Sequence, residues 1–431
     1  MSLRLHIRNL GILAFGELLT RALTIVAFVH LARALQPETY GQVELTLAIM
    51  MFATLIVDQG FAVLGARDVA REPACEAVLA GRIVSIQLVM ALLGVALLAG
   101  MSALLPIARS LRILLMGYAV SLLAYPFLLG WLFQGRREMG WYALGQVARQ
   151  AVFAGLAITL VRAPQDIARL PPAEIAAVSV SAALLTGAYF ARGGRLAIRP
   201  LARENWKILR HNLPIAGSNL IWVARMFGPI VLVSALLGSA ATGYFGAAHR
   251  IMMLLQTLMA VYFINLLPTL SRAAVSTERL AGVLESSLPF LAWTCVLGAI
   301  FAAVASNRAI GLLYGRAFVD GGAAITFATL VWIVPILAVR RHLVSSLVAL
   351  HRQVDEFRCS ISGLVSLAAL LIVLTPVWGA LGAAAAMVLS ELLATALTWR
   401  ALRQSVPQLS LLSIALPPRA RILGAAAAKS P

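Results

Sequence analysis

The sequence predicts an all-α integral membrane protein, with about twelve transmembrane helices in two six-helix, pseudo-symmetric lobes around a central cavity and both termini in the cytoplasm. Three observations predict it. The 431 residues are 61% hydrophobic and 12% charged, where soluble domains carry about 25% charged residues, and the mean hydropathy is +0.91. The apolar stretches recur from Leu10 to Arg400 at about the 20 residues a helix needs to cross a hydrocarbon core roughly 30 Å thick. The net charge of +18 is almost wholly arginine, the only lysines being Lys207 and Lys429, and most of it lies between the apolar stretches.

Taken in order, the first apolar segment, 10–32, is too long for a signal-peptide core, so it reads as a retained first helix. On it Glu17 and Arg21 stand at i, i+4 and share a face, and Thr20 and Thr24 extend the polar stripe. Helix 2, 41–63, carries Glu44 near its outer end and Asp58 near its inner end, with Arg67 and Arg71 the expected partners of the aspartate. Helices 3 to 6 follow at 82–104, 111–133, 141–161 and 174–191. Arg149, close to the cytoplasmic end of helix 5, is expected to snorkel to the interface. Helix 7, 213–236, holds Arg225, and Gly228-Pro229 just beyond predicts a hinge, because proline removes a backbone hydrogen bond. Helix 8, 243–267, carries His249 and Arg250, with Gly246 and Ala247 leaving space beside them. Helices 9 and 10, 287–306 and 322–349, lead to Arg340-Arg341-His342, which reads either as cavity lining or as an interfacial girdle. Helices 11 and 12 span 360–375 and 380–400, and Glu391, following a Gly/Ala-rich run, reads as a packing residue.

Basic residues in the connections set the orientation. With the N-terminus inside, the cytoplasmic segments hold 22 Lys and Arg and the outer segments 7, the rest falling within helices. The most basic connection divides the chain into an N-terminal lobe, 1–191, a linker, 192–212, and a C-terminal lobe, 213–400, followed by a cytoplasmic or interfacial tail, 401–431. Weak internal similarity supports a repeat. Asn9-Leu10 and Asn212-Leu213 open helices 1 and 7, and Leu35–Gly41 and Leu237–Gly243 close them, at offsets of 203 and 202. Gly135-Arg136 echoes His351-Arg352 after helices 4 and 10. An even number of helices per half inserts both halves the same way up.

Arg21, Arg149, Arg225, Arg250, Arg340 and Arg341 fall within predicted helices. Each costs about 3 kcal/mol at a bilayer centre, so together they would exceed the roughly 5–15 kcal/mol stability of a typical domain. They must pair, snorkel or line a wet cavity. No P-loop, HExxH or Gly-x-Ser-x-Gly motif is present, and the histidines are scattered. Cys75, Cys295 and Cys359 stand apart, without CxxC spacing. The sequence therefore predicts no enzyme, no catalytic residues, no cofactor and no metal; arginines placed between apolar segments also argue against a nucleic-acid partner.

Several segments together resemble the polysaccharide transporter branch, which includes the Wzx-type O-antigen flippases, of the multidrug/oligosaccharidyl-lipid/polysaccharide flippase superfamily. Leu31-Ala32-Arg33-Ala34-Leu35-Gln36-Pro37-Glu38-Thr39-Tyr40-Gly41 is similar to that family's L-A-R-x-L-x-P-x-x-Y-G. Asp58-Gln59-Gly60-Phe61 with Arg67, Gly243-Tyr244-Phe245-Gly246-Ala247-Ala248-His249-Arg250, Leu313-Tyr314-Gly315 with Phe318, and Trp378–Ala384 with Glu391 follow in order. The chain departs from the family where relatives often carry an acid in helix 7, near Arg225 here. The resemblance implies a flippase of the bacterial inner membrane that carries undecaprenyl-pyrophosphate-linked oligosaccharide to the periplasmic leaflet by alternating access, for O-antigen, capsule or exopolysaccharide. Arg21, Arg225, Arg250, Arg340 and Arg341 would bind the headgroup, since guanidinium pairs with phosphate oxygens. Glu17 would neutralise Arg21 or take part in proton or sodium coupling. A polysaccharide polymerase and a chain-length regulator are the expected partners besides the lipids. A lipid II flippase, a multidrug/cation antiporter and a membrane polymerase or ligase are the alternatives.

Overall fold

The computed structural model describes residues 3–196 and 203–410, and among these every regular element is helical. The chain divides into two compact units, Met1–Val231 and Leu232–Pro431. The division falls inside a helix, after the basic linker that the sequence nominates; residues 197–202 of that linker and 411–431 of the tail lie outside the described residues.

In the first unit, α1 (Leu3–Asp58) leaves helical geometry at Gln36. The following Pro37 explains the place, because a residue before proline is pushed out of the α region. Helix α2 (Phe61–Arg71), α3 (Glu76–Leu104), α4 (Arg109–Ser121), α5 (Gly130–Gly135), α6 (Met139–Leu160) and α7 (Leu170–Ala191) follow. The first arm of α1 lies along α6, where Phe28 stacks on Phe153 at 6.0 Å and His30 meets the Val161 carbonyl at 2.7 Å. The unit's core gathers Phe61, Ile83, Val84, Leu132, Phe133 and Tyr189.

The continuous helix expected over 111–133 is a correction. Here α4 ends at Ser121, a 3-10 turn runs over Leu122–Phe127, and α5 begins at Gly130. Pro126 has no N–H to give and its ring displaces the preceding turn. The Phe127 carbonyl instead accepts the Thr186 hydroxyl at 2.9 Å.

Helix α8 (Arg203–Ala273) crosses the division between the units and leaves helical geometry at Gly238. It keeps helical dihedrals through Gly228 and Pro229. In the second unit, α9 (Thr277–Val304) begins ten residues before the expected 287 because Ser276 caps it, accepting the Arg279 N–H at 3.1 Å. Short helices α10 (Ser306–Tyr314) and α11 (Arg316–Asp320) lead to α12 (Ala323–Leu330) and α13 (Ile333–Ala349). The helix expected over 322–349 is thus divided, because Pro335 cannot bond the Val331 carbonyl, which takes the Val334 N–H at 3.0 Å instead. The last helix, α14 (Gln353–Ser405), breaks at Gly379. It also outruns the expected end at Arg400: Leu402, Val406 and Leu409 are fully buried against Leu284 and Leu347, and Arg352 holds the Ala401 carbonyl at 3.0 Å.

The non-helical residues at 36, 238 and 379 fall where the sequence ends one transmembrane helix and begins the next. Among the described residues, nine helical stretches are long and apolar enough to cross a bilayer, and three of them contain these breaks. Large apolar side chains stand on the outside of the helices: Leu104, Phe290, Phe301, Val304 and Val377 are each 70–85% exposed. Such a surface is far larger than water tolerates and suits lipid. At the basic ends of the helices, Arg136 reaches Glu76 at 2.5 Å and Arg192 pairs with Glu138. The hydrogen bonds it donates to Glu76 push the Arg136 guanidinium above even its usual high range.

Candidate functional site

A cavity of about 480 Å³ opens within the first unit, among α1, α2, α3, α5, α6, α7 and the first part of α8. The sequence explains how its walls are placed. The proline-broken turn after α4 turns Tyr125 and Leu128 toward it. Asp58 closes α1, then caps α2: its carboxylate accepts the N–H groups of Gly60 and Ala62, both at 3.2 Å. Gly60 makes this turn possible, since its φ is +81° and a Cβ there would stand 2.8 Å from Ile215. Asp58 is therefore a helix cap and a cavity wall; the arginines expected to hold it do not, Arg67 being paired with Asp68 at 2.8 Å.

Arg149 is the second correction. It does not snorkel: its guanidinium donates to Glu174 at 2.5 Å and to the Tyr125 hydroxyl at 2.8 Å, and lies over the Tyr125 ring at 5.3 Å. Glu174, at the start of α7, is 8% exposed. The three groups tie the turn after α4, α6 and α7 together at the cavity wall. A buried pair of this kind is neutral overall, and removing one partner leaves a charge without compensation. The remaining wall is mainly apolar, Met51, Leu55 and Leu185 among it, with Trp131, Tyr142, Trp222, Gln87, Gln146 and Asn219 set into it.

The residues nominated from sequence occupy other places. In the first unit, Glu17 and Arg21 form the expected i, i+4 pair at 2.8 Å, with both side chains 45% exposed. Arg225 is 6% exposed on α8, one turn beyond Trp222 of the cavity wall. In the second unit, Arg340 is 8% exposed; it donates to Glu391 at 3.0 Å and to Ser360 at 2.9 Å, and Ser360 passes a hydrogen bond to Glu356 at 2.7 Å. Arg341 lies over the Phe263 ring at 5.7 Å. His342 is fully buried between the Ala338 carbonyl and Tyr262, so an interfacial girdle does not describe Arg340 and His342. Arg250 is half-buried beside His249, whose ring stacks on Phe245 at 5.8 Å. Glu44, which the sequence places equally well in solvent, is 3% exposed. Among the described residues no group of three or more His, Cys, Asp or Glu gathers to hold a metal.

The sequence reading missed Tyr125, Glu174, Gln146 and Asn219. The signal for Tyr125 was Pro126 beside it in an apolar helix; for the others only the fold brings the residues together.

Comparison with known proteins places this geometry. The sequence profile of the family described as "Polysaccharide biosynthesis protein" matches residues 6–274. A protein of Escherichia coli (strain K12) described as "Putative O-antigen transporter" is 23% identical over 295 residues, 64% of this chain and 67% of its own. Among solved structures, an inward-facing multidrug resistance MATE family transporter of the MOP superfamily superposes with a TM-score of 0.74 at 14% identity, covering 90% of this chain and 95% of its own. The lipid II flippase MurJ, in an inward closed conformation, superposes with a TM-score of 0.71 at 14% identity, covering 93% and 88%. These likenesses show the fold of MOP superfamily transporters.

Proposed function

Starting from a chain that belongs to the polysaccharide biosynthesis protein family and has the fold of a membrane transporter, we propose that it flips lipid-linked oligosaccharide across the bacterial inner membrane by alternating access. The cargo is an undecaprenyl-pyrophosphate-linked repeat unit bound for surface polysaccharide. One observation carries the reading: a cavity with amide, tyrosine and arginine side chains in its wall, sunk among apolar helices of the first unit, in a chain of this family. A hydrophilic headgroup needs such a shelter, because moving it through hydrocarbon strips its hydrogen bonds.

The pyrophosphate calls for cations, and arginines are present in each unit taken by itself. Arg21 and Arg225 stand in the first, and Arg250, Arg340 and Arg341 in the second. Arg340 serves only if cargo displaces Glu391, which it now holds at 3.0 Å. Glu17, already holding Arg21 at 2.8 Å, releases it when an anion arrives. Gly228-Pro229 lies just before the division at Val231 and supports a hinge there, since Pro229 leaves one carbonyl of α8 without its helical partner. The polymerase and chain-length regulator act on the delivered unit.

Deletion of the gene tests the proposal. Intact lipid-linked repeat units should accumulate on the cytoplasmic face of membrane vesicles and disappear when the gene is restored. Normal units with normal polymer would return the multidrug antiporter reading, and units that reach the periplasm unpolymerised would indicate a polymerase.

A further inference from the structure

We propose that the cavity of the first unit binds uncharged sugar residues of the cargo and leaves the pyrophosphate to cations elsewhere in the chain; this rests on the flippase reading above. The wall is poorly suited to an anion. Its basic residue, Arg149, is neutralised by Glu174 at 2.5 Å, and Asp58 adds a carboxylate. A pyrophosphate there would meet a balanced ion pair and a further negative charge, and desolvating an ion without a partner is prohibitive.

What the wall offers instead matches a pyranose. Tyr125, Trp131, Tyr142 and Trp222 supply aromatic rings. Ring faces are electron-rich, so they pack well against the weakly positive C–H face of a sugar. Gln87, Gln134, Gln146 and Asn219 add amides, Gln146 donating to the Tyr142 hydroxyl at 3.3 Å, while the buried Ser181 hydroxyl is already given to the Gly145 carbonyl. Amides donate and accept at once, as hydroxyl and acetamido groups require of a partner. Two of these groups are deeply placed: Gln87 is 6% exposed, and Trp131, 4% exposed, has no partner for its indole N–H. The volume, about 480 Å³, lies within the ordinary range of small-ligand pockets. A coupling cation fits less well, because Asp58 already accepts two backbone N–H groups and Glu174 already holds Arg149.

The test uses full-length protein in nanodiscs and two probes: the glycan released by mild acid from lipid-linked units of the deletion strain, and undecaprenyl pyrophosphate. Calorimetric titration should show saturable binding of the glycan. The double variant Gln146→Leu/Asn219→Leu should bind it at least tenfold more weakly, while undecaprenyl pyrophosphate affinity stays within twofold of wild type. If that variant is not monodisperse, Trp222→Leu takes its place, since the Trp222 ring is half-exposed and its loss leaves the core intact. Equal glycan binding by variant and wild type, or binding of undecaprenyl pyrophosphate with none of the glycan, would overturn the assignment. So would sodium binding that the variant loses while glycan binding persists. Accumulation of units together with any of these failures sinks the cavity assignment alone; a deletion strain without accumulation sinks the flippase reading and this inference with it.

Discussion

Arg149 and Arg340 each hold a glutamate on a different helix, at 2.5 and 3.0 Å, and this is how two of the arginines are accommodated in a bilayer. The Glu17–Arg21 pair was legible because its members stand one helical turn apart. The other two pairs were not, because their partners lie 25 and 51 residues away and only helix packing selects them. Arg340 carries a definite expectation. Glu391→Gln leaves a buried guanidinium without its counter-charge and should cost about 3–5 kcal/mol, read as a fall in the unfolding temperature of detergent-purified protein. Arg340→Met/Glu391→Leu removes both charges and should recover most of that loss. A single variant as stable as wild type would show that water reaches the pair.

At the scale of the element, the repeat is written in its breaks. Gln36 and Gly238 are 202 residues apart, the offset read from the sequence, and both have positive φ with extended ψ: +60° and 166°, +82° and −175°. The helix ends after α5 and α13 also match, with positive φ at Arg137 and His351 and the same pair of closing hydrogen bonds. They align Arg137 with His351, two residues from the register in which the sequence pairs Gly135 with His351; with so little identity, only backbone geometry fixes the match. Pro126 and Pro335 fall inside the stretches expected as single helices over 111–133 and 322–349, and they divide them. The conformation shared by Gln36 and Gly238 is essentially glycine's own, and another residue held there costs about 1–3 kcal/mol. Gly238→Ala should therefore lower the unfolding temperature and Gln36→Gly should raise it, less the Gln36 side chain's bond to the Arg33 carbonyl at 2.9 Å. Opposite signs at repeat-related positions are the readout; two changes of the same sign would refute the strain.

Across the whole molecule, each unit ties together three consecutive helical stretches by one arginine, but from a different helix. In the first, Arg149 on α6 joins Tyr125 and Glu174 on its neighbours; in the second, Arg340 on α13 joins Ser360 and Glu391 on the two arms of α14. Polar clamps of this sort hold a bundle where lipid supplies no hydrophobic drive between helices. The helical plan was legible because lipid forces long apolar segments, whereas the clamps and the cavity were not, because they depend on contacts between distant segments. Orientation was read from the excess of basic residues in one set of connections, and it can be measured directly. In a chain whose Cys75, Cys295 and Cys359 are replaced by alanine, Gln165→Cys marks the turn before α7 and Gln353→Cys marks the start of α14, both at exposed positions. With both termini inside, a membrane-impermeant maleimide should label Gln165→Cys on intact spheroplasts and Gln353→Cys only after permeabilisation. The reverse pattern would invert the protein. It would put the Arg136–Glu76 and Arg352–Asp355 ends on the periplasmic face, against the charge bias that orients membrane helices as they insert.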